Sequence, residues 1–180
     1  MTAGVTLILI FAAAILLAMV RYRPKDEELL WDWDSINTDE LVNYPLSPNF
    51  LWGTATAAHQ VEGGITNNNW TWWEKQCDKN GNPRIHNGQK VGTACEHYHR
   101  YDDDFRRMKS DLGLNAYRFS IEWSRIEPEK GDIVQSEIDH YSRKIDSLLA
   151  LGITPMITLH HFTHPLWFEE LGSFEKQENV

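Results

Sequence analysis

Apolar and polar positions divide this chain into an apolar head, a stretch without period, and a region where two periods alternate. Met1–Val20, "MTAGVTLILIFAAAILLAMV", contains no charged side chain. A helix of that length, at ~1.5 Å per residue, reaches ~30 Å, about one hydrocarbon core. Pro24 through Pro48 holds Pro, Asp and Asn without a sustained period and reads as a linker. From Phe50 the pattern changes. Phe50–Ala58, "FLWGTATAA", is a short apolar run and predicts a buried strand. Glu62 to Thr93 is polar and rich in Gly and Asn, the composition of a long loop. Across Glu96–Leu112 the residues Tyr98, Tyr101, Phe105, Met108 and Leu112 recur at spacings of three and four, which predicts a helix stopped by Gly113. Ala116–Trp123 reads as a second strand. A turn follows at Pro128–Gly131. Ile133–Ala150 is a second helix, with Ile138, Tyr141, Ile145, Leu148 and Leu149 on one face and Gly152 at its end. Thr154–Phe162 is a third strand, and the polar segment from Gly172 is placed to begin another helix.

Strand, helix, strand, helix, strand in that order predicts a parallel sheet with crossover helices. Such folds carry their sites at the carboxyl ends of the strands. Gln60, Arg118, Glu122 and His161 all fall at or near those ends. No shorter repeat and no low-complexity tract interrupts the region.

The apolar head is followed at once by Arg21, Arg23 and Lys25. A signal peptide carries its positive charge before the apolar run and a small-x-small cleavage site after it. "LAMVRYR" has neither, so the head is read as an uncleaved single-pass anchor. Positive charge after the helix places the remainder on the cytoplasmic side. The expected organisation is a transmembrane anchor over 1–20, a juxtamembrane linker over 21–49 and an α/β unit over 50–180. Trp31 and Trp33 suit a membrane interface and docking on the domain equally well.

Composition changes this picture in a few places. With 26 acidic and 17 basic residues the net charge is −9. No basic stripe stands out, which argues against nucleic acid as a partner and makes the charge a matter of solubility. Eight tryptophans are many for 180 residues. Several sit among polar residues, as in "NNNWTWWE" at Asn67–Glu74, where an indole can stack on the apolar face of a pyranose as well as fill a core. Cys77 and Cys95 match neither a CxxC nor a zinc-ribbon spacing and read most simply as free thiols. Asn69-Trp70-Thr71 is a formal glycosylation sequon, taken as a chance occurrence. His160-His161-x-x-His164 falls in the predicted third strand and its following loop, so it lacks the helical i, i+4 geometry of a HExxH zinc site. No metal site and no cofactor are expected.

Three long segments, "FLWGTATAAHQVEGG" at Phe50–Gly64, "NAYRFSIEWSRIEP" at Asn115–Pro128 and "ITLHHFTHPLWF" at Ile157–Phe168, together resemble family 1 of the glycoside hydrolases, the β-glucosidase and β-glycosidase group. "NNNWTWWE" and "ACEHYHRYDDDFRRMKSDLGLNAYRFS" read like the same family, in the same order, so the resemblance covers Phe50 to Val180. It implies a (β/α)8 TIM barrel, here its N-terminal part of about three βα units, that hydrolyses β-glycosides with retention. The implied partner is a β-glycoside or oligosaccharide substrate. Gln60 matches the family's glutamine that holds glycone hydroxyls, and an amide both donates and accepts. His161 matches the third-strand histidine, a second glycone contact. His160, one residue earlier on a strand, then points to the opposite face and packs, while His164 lines the following loop. Arg118 matches an arginine set against the nucleophilic carboxylate, where a fixed cation keeps that group ionised. Glu122 and Arg125 are placed to form a supporting ion pair. Phe162 and Thr163 stand where the family has Trp and Asp, so an indole N–H donor is lost from that wall.

Retaining glycosidases use two carboxyl groups ~5–5.5 Å apart. In the family these lie in an Asn-Glu-Pro motif at the fourth strand and a Glu-Asn-Gly motif at the seventh, and neither motif occurs in this chain. Glu178-Asn179-Val180 falls too early to be the second. No catalytic residue is therefore assigned. The chain is expected to be a fragment of a longer glycosidase, inactive as written, with apolar surface on Phe119, Ile121, Ile157 and Leu159 incompletely covered. The alternative is a non-catalytic, membrane-anchored glycan- or partner-binding protein on the same scaffold. A transglycosidase acting on lipid-linked sugars is a weaker third reading, suggested by the anchor alone.

Overall fold

After the first strand and again after the second the chain crosses back through helix to start the next parallel strand, and this repeat builds the computed structural model, which describes residues 46–180. The expected anchor over 1–20 and most of the linker lie outside the described residues. Among the described residues no helix is long and apolar enough to cross a membrane. The compact unit spans Asn49–Val180. In chain order its regular elements are β1 (Gly53–Ala55), α1 (Ala58–Val61), α2 (Asn69–Trp73), α3 (His97–Ser110), β2 (Ala116–Ser120), α4 (Trp123–Ile126), α5 (Gln135–Ala150), β3 (Thr154–Thr158) and α6 (Leu166–Glu170). Short 3-10 turns occupy His86–Gly88, Ser173–Glu175 and Gln177–Asn179.

The sheet order is β1-β2-β3, all parallel. Ala55 pairs with Arg118 and Arg118 with Met156, so these three side chains share one face. Tyr117 and Phe119 point to the other face, against the crossover helices α3 and α5. There they join Phe105, Tyr141, Leu148 and Ile153 in a core with almost no exposed area. Rings lock that core: Phe105 meets Tyr117 edge-on at 5.4 Å, and Tyr117 stacks on Phe119 at 5.7 Å. The expectation that Phe119 would be left open is thus corrected. Its partners come from local crossovers rather than from distant strands. The open face is the other one, where Met156 is 53% exposed, and Leu159 just past β3 is 77% exposed.

All three strands are shorter than their apolar runs predict. β2 leaves the ladder after Ser120 because the chain turns into α4, and the last bond to β3 is Ile121 N–H to Thr158 O at 3.1 Å. Beyond Thr158 the third strand therefore has no partner. β1 ends where Ala58 N–H turns to the Ser120 hydroxyl at 2.7 Å and α1 begins. At the other end of β1 a side chain at Gly53 would place its Cβ 2.6 Å from Ala116 O, so only glycine allows the seam to close. The helix expected from Gly172 is absent: α6 ends just before that glycine, whose φ of 94° stops it, and only 3-10 turns follow.

The loop between α1 and α3 is not formless. Gly64 N–H bonds Gly92 O at 2.9 Å and Tyr98 N–H bonds Glu62 O at 3.4 Å, closing its neck. Its tip is closed again by a bridge between Cys77 and Pro83 and by Arg84 N–H to Gln76 O at 3.0 Å. Both cysteines are exposed and free, as expected.

Candidate functional site

The strand-end loops meet around a buried polar layer beneath an open cleft. Glu62, just after α1, is 2% exposed, yet it faces two cations. Arg125 Nε donates to Oε2 at 3.0 Å, Lys144 Nζ lies 3.5 Å from Oε1, and the Tyr141 hydroxyl stands 3.1 Å from both oxygens. Burial pushes the Glu62 carboxyl up, against the pull of Lys144 and Arg125. Burial likewise pushes the Lys144 ammonium down, against the pull of Glu62. The ammonium also sits 4.8 Å from the Phe119 ring centre, so an aromatic face shares its charge. The expected ion pair between Glu122 and Arg125 is not formed: Arg125 reaches back to Glu62 and to Gly63 O at 2.6 Å.

Glu122 has a different shell of neutral donors. Ser124 Oγ approaches at 2.6 Å, Thr163 Oγ1 at 2.9 Å and Asn68 Nδ2 at 3.2 Å. Asn68 opens α2 as its N-cap, with Oδ1 taking Thr71 N–H at 2.8 Å. The next residue, Asn69, clamps the third loop: its N–H bonds His164 O at 3.1 Å and its Oδ1 accepts His164 N–H at 3.2 Å. Asn69 Nδ2 also lies 3.4 Å from Phe162 O. The sequon asparagine is thus already engaged by the protein's own backbone. Phe162 needs such holding, because its φ is 53°, a left-handed conformation that a bulky side chain adopts only at a cost.

Above this layer lies a cleft of about 520 Å³ lined by His59, Gln60, Trp70, Glu74, Ile85, Val91 and Phe162. Trp70 and Phe162 meet edge to face at 5.4 Å and form an aromatic wall. Gln60 is exposed and lines the cleft, and Phe162 faces it from the third loop. His161 is half-buried beside Phe162, ring centres 5.0 Å apart, and is not part of the lining. Its Nδ1 is buried without a hydrogen-bond partner among the described residues. Arg118 lies on the open sheet face, where its Nε donates to Thr158 Oγ1 at 2.8 Å. Among the described residues no carboxylate pairs with it. The structure therefore brings Gln60 to the aromatic wall, leaves His161 one residue behind it and sets Arg118 apart.

The facing of the histidines differs from expectation. Strand alternation does not extend past Thr158, so His160 is exposed, its ring 4.9 Å from Phe174. The packing histidine is His164, buried, with Nε2 2.6 Å from Glu169 Oε2. Sequence reasoning also missed His59, Glu62, Asn68 and Lys144. Asn68 followed three residues later by Thr71 carried a capping signal within "NNNWTWWE". Lys144 lies on the apolar face of its helix and had no such signal.

Residues 42–180 match the Glycosyl hydrolase family 1 profile. The chain belongs to this family. Among curated relatives this family 1 chain is 39% identical over 135 residues to Beta-glucosidase A of Acetivibrio thermocellus, covering 73% of itself and 30% of that protein. Its fold superposes on the family 1 β-glucosidase of Thermotoga maritima with a TM-score of 0.68 at 36% identity, covering 74% of this chain and 30% of that one. A β-glycosidase from Pyrococcus horikoshii gives a TM-score of 0.64 at 44% identity, again over 74% and 30%. The family 1 chain thus spans about 30% of the length of the relatives it matches, and its three parallel strands correspond to part of their barrels.

Proposed function

We propose that these residues are the N-terminal βα units of a retaining β-glycosidase, with the cleft at Gln60 forming part of its glycone pocket. The observation that supports this most is the juxtaposition of an exposed amide, Gln60, with the Trp70–Phe162 wall at the carboxyl ends of parallel strands. An amide beside an aromatic face suits a pyranose, whose edge carries hydroxyls and whose face is apolar. In this reading Gln60 and His161 hold glycone hydroxyls and Arg118 faces the nucleophilic carboxylate contributed by a later strand. Acid/base and nucleophile are supplied from outside residues 1–180. Hydrolysis requires no cofactor here.

The test uses the longer protein that carries these residues together with Asn-Glu-Pro and Glu-Asn-Gly motifs. Gln60→Ala or His161→Ala leaves a sugar hydroxyl unpaired, at roughly 1–3 kcal/mol, so kcat/KM for an aryl β-glucoside is expected to fall about 10- to 100-fold. His160→Ala, exposed in the structure, is expected to change it little. Equal losses at all three positions would sink the assignment. A complete gene product without either carboxylate motif would favour the non-catalytic, glycan-binding alternative instead.

We also propose that Met1–Val20 anchors the chain with the barrel part in the cytoplasm, from the uncharged run and the Arg21, Arg23 and Lys25 cluster after it. Protease added outside sealed cells is expected to spare residues 50–180. Digestion of that segment in intact cells would reverse the orientation, and its recovery in the soluble fraction would remove the anchor.

A further inference from the structure

We propose that Asn68 is a positioning residue for the sugar cleft, a buried amide whose bonds link the exits of all three strands alongside the direct clamp that Asn69 places on the third loop. The claim rests on the glycosidase reading only for what the cleft binds. Asn68 has no exposed area and lies in the loop after β1. Its oxygen is used for capping, taking Thr71 N–H at 2.8 Å with Thr71 Oγ1 at 3.0 Å. Its nitrogen does something that capping does not require. One N–H points to His59 Nδ1 at 3.3 Å and the other to Glu122 Oε1 at 3.2 Å. Glu122 belongs to the exit from β2, and its second oxygen accepts Thr163 Oγ1–H at 2.9 Å from the exit of β3. An antiparallel bridge between Asn68 and Pro165 fastens the same loop directly.

The donating half of Asn68 fixes the cleft in two ways. A ring nitrogen that accepts cannot carry the proton, so His59 holds it on Nε2, which faces Glu74 Oε1 at 3.2 Å. His59 and Glu74 line the cleft, and His59 is the residue before Gln60. The Glu122–Thr163 link fixes the residue after Phe162, whose left-handed backbone sets the direction of the aromatic wall. Both sides of the cleft therefore refer to one buried amide.

N-capping and positioning are separable by substitution. Asn68→Ser keeps a good cap for α2 and removes both donated bonds. In the full chain, 15N-labelled and purified in detergent, this variant is expected to keep its helical circular dichroism. Its His59 should lose the single Nε2–H tautomer, visible as a changed Nδ1 resonance, and the Phe162–His164 amide signals should move. Affinity for cellobiose, followed by titration, should fall about tenfold or more. Asn68→Asp also keeps the cap but sets a carboxylate against Glu122 and draws a proton onto His59 Nδ1. Adding Glu122→Gln to it reverses the polarity of the 68–122 bond and should recover the Phe162–His164 signals and most of the affinity.

Unchanged His59 and Phe162 signals in Asn68→Ser would reduce Asn68 to a cap and overturn the proposal. So would a double variant that recovers nothing over Asn68→Asp, which decides the matter even where Asn68→Ser fails to fold. If the wild type binds no cellobiose while the His59 and Phe162 signals still move, the positioning role stands and sugar binding by this cleft in the chain alone falls.

Discussion

Purified residues 1–180 are expected to release no aryl alcohol above background from aryl β-glucosides or β-galactosides. Retention needs an acid/base and a nucleophile ~5–5.5 Å apart, both open to the sugar. The carboxylates near the cleft are already committed. Glu62 is held by Arg125, Lys144 and Tyr141. Glu122 is buried under Asn68, Ser124 and Thr163. Glu74 lines the cleft, but one oxygen faces His59 Nε2 and the other accepts Val91 N–H at 3.2 Å. Gln60 and His161, the residues proposed to hold the glycone, have no group that can protonate a leaving group and then attack the anomeric carbon. Without that pair a rate gain of about a million-fold or more is out of reach. Turnover that disappears on replacing a single Glu or Asp within the chain would refute this.

Removing the Glu62 side chain is expected to produce the largest loss of stability of any single substitution in the polar layer. Glu62→Ala leaves Lys144, 1% exposed, without its carboxylate and Arg125 without its partner. Breaking a buried pair from one side costs about 3–5 kcal/mol, because a charge is left in a poorly solvating place. Urea unfolding of the chain and its variants measures this. Replacing both partners, as in Glu62→Leu with Lys144→Met, should return much of the loss, since two apolar groups need no counter-charge. A Glu62→Ala loss below about 1 kcal/mol, the ordinary range for point substitutions, would show that water already reaches the pair.

How far these features were legible varies with their physical origin. The parallel sheet and its crossovers follow from local periods, and Tyr101, Phe105, Met108, Tyr141 and Leu148 pack where their spacing put them. Strand ends were misjudged because a strand lasts only as long as its neighbour. Nothing within "TPMITLHHF" records that β2 departs at Ser120. The histidine facing failed for the same reason, since alternation was carried beyond the last ladder bond. Arg125 was assigned the nearer carboxylate in sequence, whereas folding offered it Glu62, 63 residues away. Lys144 was invisible because one helix turn cannot reveal which carboxylate waits across the core.

The closed neck and closed tip of the loop between α1 and α3 make it two nested rings, each shut by backbone bonds of its own. Entropy of closure grows only slowly with length, by ~0.6 kcal/mol per doubling. Residues added between Cys77 and Pro83 would therefore lengthen the inner ring while Gln76 and Arg84 still meet, and the tension would not reach Asn68 or Trp70. The tip is a cassette. Its contents can be exchanged without disturbing the aromatic wall that Trp70 forms with Phe162.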